Sequence, residues 1–393
     1  MKVYFQIVVI ATCIIFETGC RSENSDHQDE VKTFDLEDAF KTKKTGKTSE
    51  FFNDVKFLVL DGKKEWFFPG HLIEGRYYTN HALFYDMHEK GPIGVFGSDG
   101  KLIISLDKRG KGPGEYTGIS TFGMNPNEDR VFVVNGYNKK LLWYDLDGNW
   151  IETINLPTKC RNLFILQDGN IIIQNLRFEQ DKLDPQRLIL TDPHGKFLKS
   201  IWDKPRDLED YAQYRDPYWL MVSGNGKMYY RDSPKYDTIY SLTEDLNLFP
   251  TFLFDVGTNR PPNEIATGTN RPDIGRDYLH TERYFVGENN ILITAYFRSR
   301  FYYNISINDG EIRCYDKINY DLLGYERFPR DITQDGKYLV QPLYVSSFNK
   351  ENIIKQFGSN GVRFQEIQQQ IIDLVINADD DMEVILLYYK LNI

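Results

Sequence analysis

One phrase recurs along this 393-residue chain. A strand-like apolar run ends near an Asp or Asn, a Gly turn follows, and a second apolar run begins. It reads Phe96-Gly97-Ser98-Asp99-Gly100-Lys101-Leu102-Ile103-Ile104, then Tyr144-Asp145-Leu146-Asp147-Gly148-Asn149-Trp150-Ile151, then Leu190-Thr191-Asp192-Pro193-His194-Gly195-Lys196-Phe197-Leu198. Looser copies lie at 240–246 and 305–312. The first three turn glycines are 48 and 47 residues apart. Each phrase is accompanied by an earlier strand-like segment, and six such starts occur, at 75–78, 130–134, 170–173, 227–230, 290–293 and 337–340. They are rich in β-branched and aromatic residues, with Gly or Asn at their ends. A hairpin-bearing unit repeating near every 50 residues predicts blades of four-stranded sheet. A lone blade cannot bury both faces, whereas a ring of blades can. The chain is therefore expected to be all-β, a six-bladed β-propeller.

Two strands belong to no unit of their own. They are Val55-Lys56-Phe57-Leu58-Val59-Leu60 and Glu383-Val384-Ile385-Leu386-Leu387-Tyr388-Tyr389-Lys390-Leu391. Pairing the N-terminal with the C-terminal strand in one shared blade would zip the ring shut and remove exposed edges. Phe364, Ile367, Ile371 and Val375 recur at three- and four-residue steps, which predicts one short C-terminal amphipathic helix packed outside the last blade. Two long segments break the rhythm. Residues 204–220 carry Tyr211, Tyr214, Tyr218 and Trp219, and residues 257–284 hold Gly-Thr-Asn-Arg-Pro twice, at 257–261 and 268–272. Connections this long are usually functional or mobile, and in a propeller they are expected at the rim of the central channel.

Near the N-terminus, Lys2 precedes an apolar run over residues 7–16, too short to span a bilayer but the length of a signal-peptide core. The run ends at Glu17-Thr18-Gly19-Cys20, which resembles the lipobox of bacterial lipoproteins. That resemblance implies that residues 1–19 are a signal peptide and that Cys20 becomes a lipidated N-terminus; a plain secretory signal or an incidental apolar N-terminus is the alternative. Residues 20–50, opening on a polar and acidic stretch, are read as a flexible tether, and 51–393 as the propeller. Attachment to the membrane would then be through lipid alone. In lipoproteins of this kind, acidic residues directly after the cysteine favour display at the cell surface. The expected address is the cell envelope, as an outer-membrane lipoprotein, with surface or periplasmic orientation left open. Of the four cysteines, Cys13 would leave with the signal; Cys160 and Cys314 have no metal-ligand spacing and are expected to be buried free thiols. Lys+Arg number 47 against Asp+Glu 57, a net charge of −10 that argues against a nucleic-acid partner. A mean hydropathy of −0.48 excludes a multi-spanning helical membrane protein.

At Arg109-Gly110-Lys111-Gly112-Pro113-Gly114-Glu115-Tyr116 the chain is similar to the Gly-Lys-Gly-Pro-Gly-Glu-Tyr signature of bacterial six-bladed β-propeller lipoproteins, relatives of the NHL-repeat propellers. The likeness continues through the Tyr-Asp-x-x-Gly phrases to the terminal strand, over about residues 51–393. It implies the same fold and a cell-envelope address, and no established reaction.

Candidate chemistry is sparse. Gly112-Pro113-Gly114 lacks the Gly-Lys-Ser/Thr ending of a phosphate loop and has no helix pattern after it, so it reads as a rigid inter-blade turn. Arg109, Glu115 and Tyr116 could project from that turn toward a ligand. His71, His81 and His88 do not fall at helical zinc spacing, and Asp379-Asp380-Asp381 lacks the glycine turn and closing glutamate of a calcium loop. No Gly-x-Ser-x-Gly elbow occurs, and Ser98-Asp99-Gly100 is a single fragment of the repeated sialidase turn. Tyr218 and Trp219 offer flat apolar faces with polar edges, suited to sugars or peptides, or else they fill space between blades. Arg260 and Arg271 could hold carboxylates bidentately, or simply solvate their loop. The expectation is a monomeric, lipid-anchored module that binds a glycan, a peptide or an envelope protein, with no turnover, catalytic residue or cofactor. The alternative is a channel-centred hydrolase or lyase acting on a glycan or lactone, with calcium as its ion. Docking of another envelope protein on the rim is the third reading.

Overall fold

An aspartate placed ahead of a glycine can cap its own turn. In a computed structural model, each well-formed copy of the phrase is the hairpin between the third and fourth strands of a sheet. Asp145 Oδ1 accepts from the N–H groups of Asp147 (3.0 Å) and Asn149 (2.8 Å), and Asp192 Oδ1 does the same for His194 (2.9 Å) and Lys196 (2.8 Å). Gly100, Gly148, Gly195 and Gly310 complete these turns at φ of +77° to +82°, where a side chain is disfavoured.

The structure describes residues 31–393 except 62–72, 87–90, 136–137, 176–185, 204–219, 224–225, 232–237, 260–277, 346–347, 351–352, 358–360, 379–382 and 393. The described strands form six antiparallel blades arranged as a β-propeller. Blade I is Ile73–Tyr77, His81–Asp86, Ile93–Gly97 and Leu102–Leu106. Blade II is Thr121–Met124, Arg130–Asn135, Lys140–Asp145 and Trp150–Asn155. Blade III is Cys160–Ile165, Ile171–Asn175, Gln186–Thr191 and Phe197–Asp203. Blade IV is Leu220–Val222, Met228–Tyr230, Thr238–Leu242 and Leu248–Asp255. Blade V is His280–Val286, Asn290–Phe297, Ser299–Ser306 and Ile312–Asn319. Blade VI is Asp331–Ile332, Tyr338–Tyr344, Glu383–Leu391 and, from the other end of the chain, Phe52–Asp61. The expected closure is therefore present: Glu383–Leu391 lies between Tyr338–Tyr344 and Phe52–Asp61, in register from Glu383↔Asp61 to Leu391↔Phe52. Val384, Ile385, Leu386 and Leu387 are fully buried there.

Two sequence expectations are corrected. Five of the six repeat starts are second strands, but 75–78 falls on the first strand of blade I; its counterpart is His81–Asp86. Alternation identifies a strand without saying which place it takes in a blade, and Arg76-Tyr77-Tyr78 has the same aromatic character as the others. The second correction concerns the tether assigned to 20–50, of which only 31–50 lies among the described residues. That part is an ordered arm. Lys32–Asp35 pairs in parallel with the outer strand of blade IV (Lys32↔Phe252 to Asp35↔Asp255), the helix Leu36–Lys41 follows, and Lys44–Lys47 pairs in parallel with the outer strand of blade V. Its polar composition conceals three anchors, Phe34, Leu36 and Ala39, and Phe51 follows it directly, all buried. Phe34 stacks on Phe254 at 5.9 Å. At Gly46 the arm passes so close to the Tyr315 ring that a Cβ would sit 2.3 Å from it. The arm thus adds a fifth strand to two blades whose edges would otherwise lie open.

Side chains lock the arm down. Asp321 accepts hydrogen bonds from Ser49 Oγ (2.6 Å), Ser49 N (3.0 Å) and Thr48 Oγ1 (2.9 Å). Burial opposes the charge on this carboxylate, but the bonds from Ser49 and Thr48 outweigh it, so its pKa lies below the ordinary value. The stabilisation is complete above the ordinary carboxylate pKa of about 4 and is lost as pH falls through the lowered folded-state value. Asp321→Ala should therefore accelerate amide exchange over 44–51 at neutral pH, and acidification through the lowered folded-state pKa, well below about pH 4, should progressively shrink the difference between native and variant. Equal exchange at pH 7 would refute the lock.

The expected helix is Gln365–Asn377, with Phe364 as its N-cap residue. Ile371, Ile372 and Val375 are buried in the cluster that holds Leu339 and Leu343 of blade VI. Gln368, also buried, donates through Nε2 to the carbonyls of Leu323 (2.9 Å) and Phe357 (2.8 Å). Cys160 and Cys314 are buried free thiols, as their spacing implied. Burial pushes the Cys314 thiol up to about 11.

Candidate functional site

The first strand of each blade faces the axis, so the turns that follow these strands gather at one mouth of the channel. A cavity of about 760 Å³ opens there, lined from blades I, II, III, IV and VI. One wall is apolar: Phe122 and Phe132 from blade II, Leu163 and Phe164 from blade III, Leu220 and Met228 from blade IV. The other carries charge: Arg76 from blade I, Glu128 from the turn of blade II, Asp335 and Lys337 from the turn of blade VI. Arg76 is ion-paired with Glu74 and lies over the Phe122 ring at 5.3 Å, which carries a cation to the edge of the aromatic wall.

The missing blade has a structural cause. The Gln334 N–H donates to the Tyr77 carbonyl of blade I (2.7 Å), and a Cβ on Gly336 would fall 1.9 Å from the Val222 carbonyl oxygen of blade IV. The turn of blade VI therefore reaches across the mouth from blade I to blade IV, past the intervening blade V. We call it the crossbar.

A chain of polar contacts ties the crossbar to its neighbours. Asp335 accepts from Thr333 Oγ1 (2.6 Å) and Thr79 Oγ1 (3.3 Å) and is ion-paired with Lys337 (3.3 Å). Burial raises the cost of its charge, yet the bonds from Thr333 and Lys337 prevail and hold the carboxyl below its usual range. Glu128 accepts from the Thr79 N–H (3.1 Å) and Asn80 N–H (2.9 Å), and its Oε2 lies 2.8 Å from His81 Nδ1. Tyr78 ties blade I to blade II by accepting from the Met124 N–H (2.8 Å), and burial pushes its hydroxyl up to about 12. Both carboxylates are thus already committed to holding turns. Among the described residues no three His, Cys, Asp or Glu side chains come together as metal ligands.

The three residues singled out on the Arg109–Tyr116 loop lie elsewhere. None of Arg109, Glu115 and Tyr116 lines the cavity. Arg109 is exposed and ion-paired with Asp107, with Nε 2.7 Å from Oδ1. Glu115, also exposed, accepts from the Gly112 N–H (2.7 Å) within the loop itself. Tyr116 is only 1% exposed; it donates to the Leu106 carbonyl (3.2 Å) and accepts from the Lys108 N–H (3.3 Å). Gly114 rests on the ring of Trp150, and the Tyr144 hydroxyl donates to its carbonyl (2.9 Å), so the loop is riveted to the outer part of blade II. Tyr116→Phe should lower stability by about 1 kcal/mol in denaturant titration and leave ligand affinity unchanged. A selective loss of affinity would return Tyr116 to the site.

Tyr218, Trp219, Arg260, Arg271 and Cys20 lie outside the described residues, as do His71, His88 and 379–381. Phe132 and Met228 of the lining come from second strands and Glu244 and Leu246 from the looser copy at 240–246, while most of the lining residues lie on first strands or in the turns after them, a turn class distinct from the recurring phrase. Asn125-Pro126-Asn127-Glu128, Gln167-Asp168-Gly169 and Gln334-Asp335-Gly336 are their signal.

Six radial sheets around an axial cavity, closed by pairing Phe52–Asp61 with the last strand, define the six-bladed propeller class. The chain belongs to a family of domains of unknown function, DUF4934, which it matches over residues 31–390. None of the curated proteins matches it. Among solved structures it is similar to a Bacteroides fragilis protein that is by name an exported one (TM-score 0.65, 16% identity, covering 92% of this chain and 100% of that chain). It is also similar to a member of the DUF4221 family from Bacteroides vulgatus (TM-score 0.46, 11% identity, covering 86% and 99%).

Proposed function

We propose that this protein is an exported, lipid-anchored propeller of the bacterial cell envelope that binds a ligand at the crossbar mouth of its channel without turning it over. The observation that carries this reading is the mouth cavity itself. Its volume of about 760 Å³ falls within the range of small-ligand sites. An aromatic and aliphatic wall faces a hydrogen-bonding one, which suits a sugar or the end of a peptide. Glu128 and Asp335 hold neighbouring turns, an arrangement that favours retention of a ligand over acid–base chemistry. No cofactor is needed for such a role. Export and anchoring are supported by the apolar run ending at Cys20, by the similarity of the Arg109–Tyr116 loop to NHL-related lipoprotein propellers, and by the name of the Bacteroides fragilis protein that shares the fold.

The test is calorimetric titration of the mature protein against panels of glycans and peptides. Phe164, half-buried in the apolar wall, should when changed to Ala weaken binding about tenfold, or 1.4 kcal/mol, in a protein that loses some stability but remains folded at the assay temperature. Calcium-dependent hydrolysis of any glycan or lactone in a parallel panel would refute the non-catalytic reading.

A further inference from the structure

The arm carries a feature that channel binding does not use. Lys41, Lys43, Lys44 and Lys47 fall within seven residues, with no carboxylate between positions 39 and 49, in a chain of net charge −10. All four are exposed. They are not on a loose tail: Lys44–Lys47 is pinned in parallel register on Ile312–Asn319, so the ammonium groups are displayed along the outer edge of blade V. That strand adds the exposed Arg313 and Lys317.

The acidic groups nearby are mostly engaged: on the arm Asp35 accepts from the Asp38 N–H (3.0 Å) and Glu37 from Thr258 Oγ1 (2.7 Å), and beside the strand Asp309 accepts from the Glu311 N–H (3.0 Å). Asp38 pairs with Lys41 (3.0 Å), Glu311 is held by Arg313 (2.8 Å), and Glu50 accepts from the Tyr315 hydroxyl (2.8 Å) and the Lys47 N–H (2.9 Å). Asp316 is the remaining carboxylate on the adjoining strand. Lys43 and Lys44 lie over aromatic rings, at 4.5 Å from Phe40 and 5.7 Å from Tyr315. The result is a row of exposed lysines along one edge of an acidic protein.

We propose that this edge docks on the anionic headgroup layer of the membrane to which the protein is anchored. The proposal rests on the reading of Cys20 as the lipidated residue. Eleven residues separate Cys20 from Lys32, where the arm begins, so even a fully extended link spans no more than about 40 Å. A surface held that close meets the bilayer constantly, and each lysine near an anionic surface strengthens attachment about fivefold. The basic edge adds to the lipid attachment a contact that orients the ring on the surface. Because the lysines lie on the outer edge of a blade, docking stands the ring on its side. The channel axis then runs along the membrane plane, leaving the crossbar mouth open to solutes.

The experiment uses the chain from residue 20 with Cys20→Ser, so that no lipid contributes, co-sedimented with vesicles of equal parts phosphatidylglycerol and phosphatidylcholine or of phosphatidylcholine alone. Native arm sequence should partition onto the anionic vesicles at low salt, lose that binding at high salt, and ignore the neutral ones. The combined Lys41→Gln, Lys43→Gln, Lys44→Gln, Lys47→Gln variant should bind at least about tenfold less. Arginine at the same four positions should restore binding. All four side chains are exposed, so the thermal midpoint should hold and serves as the folding control. Equal sedimentation of native and glutamine variants, no sedimentation on anionic vesicles, or capture by a soluble anionic polysaccharide in place of vesicles would overturn the proposal. Acyl labelling of the full chain in cells tests Cys20 separately, since the vesicle assay omits the lipid.

Discussion

Leu386→Asp should abolish cooperative folding of the whole ring. Leu386 is fully buried in the penultimate position of blade VI, opposite Pro342 on one side and Leu58 on the other. It packs in a cluster with Leu60, Phe84, Phe96 and Val340, which joins blade VI to blade I. Removing the leucine costs about 2–5 kcal/mol, and an unpaired carboxylate in its place adds several more. The sum is comparable with the entire stability of an ordinary domain, about 5–15 kcal/mol. Leu386→Met keeps volume and polarity and should cost less than about 1.5 kcal/mol. Urea titration followed by circular dichroism reads both; a sharp transition at the native midpoint in the aspartate variant would mean that the ring does not depend on this strand.

The second large effect is expected at Gly336. Its φ is +71°, a region costly for any residue with a Cβ, and that Cβ would strike the Val222 carbonyl. Gly226 provides the comparison, with φ of +82° and nothing within 4 Å of a Cβ. Gly226→Ala should cost only the backbone strain, about 1 kcal/mol. Gly336→Ala adds a collision with main chain and should cost roughly 2–3 kcal/mol more as the crossbar withdraws from blade IV. Exchange of the Gln334 amide, bonded to the Tyr77 carbonyl, should accelerate in Gly336→Ala and not in Gly226→Ala. If the two variants behave alike, the contact between blades VI and IV carries no weight.

The sequence disclosed the parts of this molecule that repeat. Gly100, Gly148 and Gly195 recur because each third-to-fourth-strand hairpin needs the same positive φ, and that need is written in the residue type. The closing pair was legible because Val55–Leu60 and Glu383–Leu391 had no unit of their own. The helix was legible because Ile371 and Val375 keep a helical period. The arm was not, because its anchors Phe34, Leu36 and Ala39 are scattered among lysines and carboxylates, and parallel addition to an edge leaves no periodic trace. The site was legible only in kind. Tyr116 looked like a ligand contact because a tyrosine in a glycine-rich loop is consistent with either role; only burial shows that it holds the loop together. Glu128 and Asp335 gained their meaning from neighbours about fifty and two hundred and fifty positions away, Thr79 in each case, and local pattern carries no such information.

The pairing of Phe52–Asp61 with Glu383–Leu391 has a kinetic consequence. During synthesis the earlier strand emerges more than three hundred residues before its partner exists. Until translation is nearly over, one face of blade I and the free side of Phe52–Asp61 have nothing to pack against. Contacts so distant along the chain form late and slowly, and the waiting edge is sticky. The nascent protein therefore spends its youth unfinished, a state hazardous anywhere that crowding allows strands of different molecules to meet.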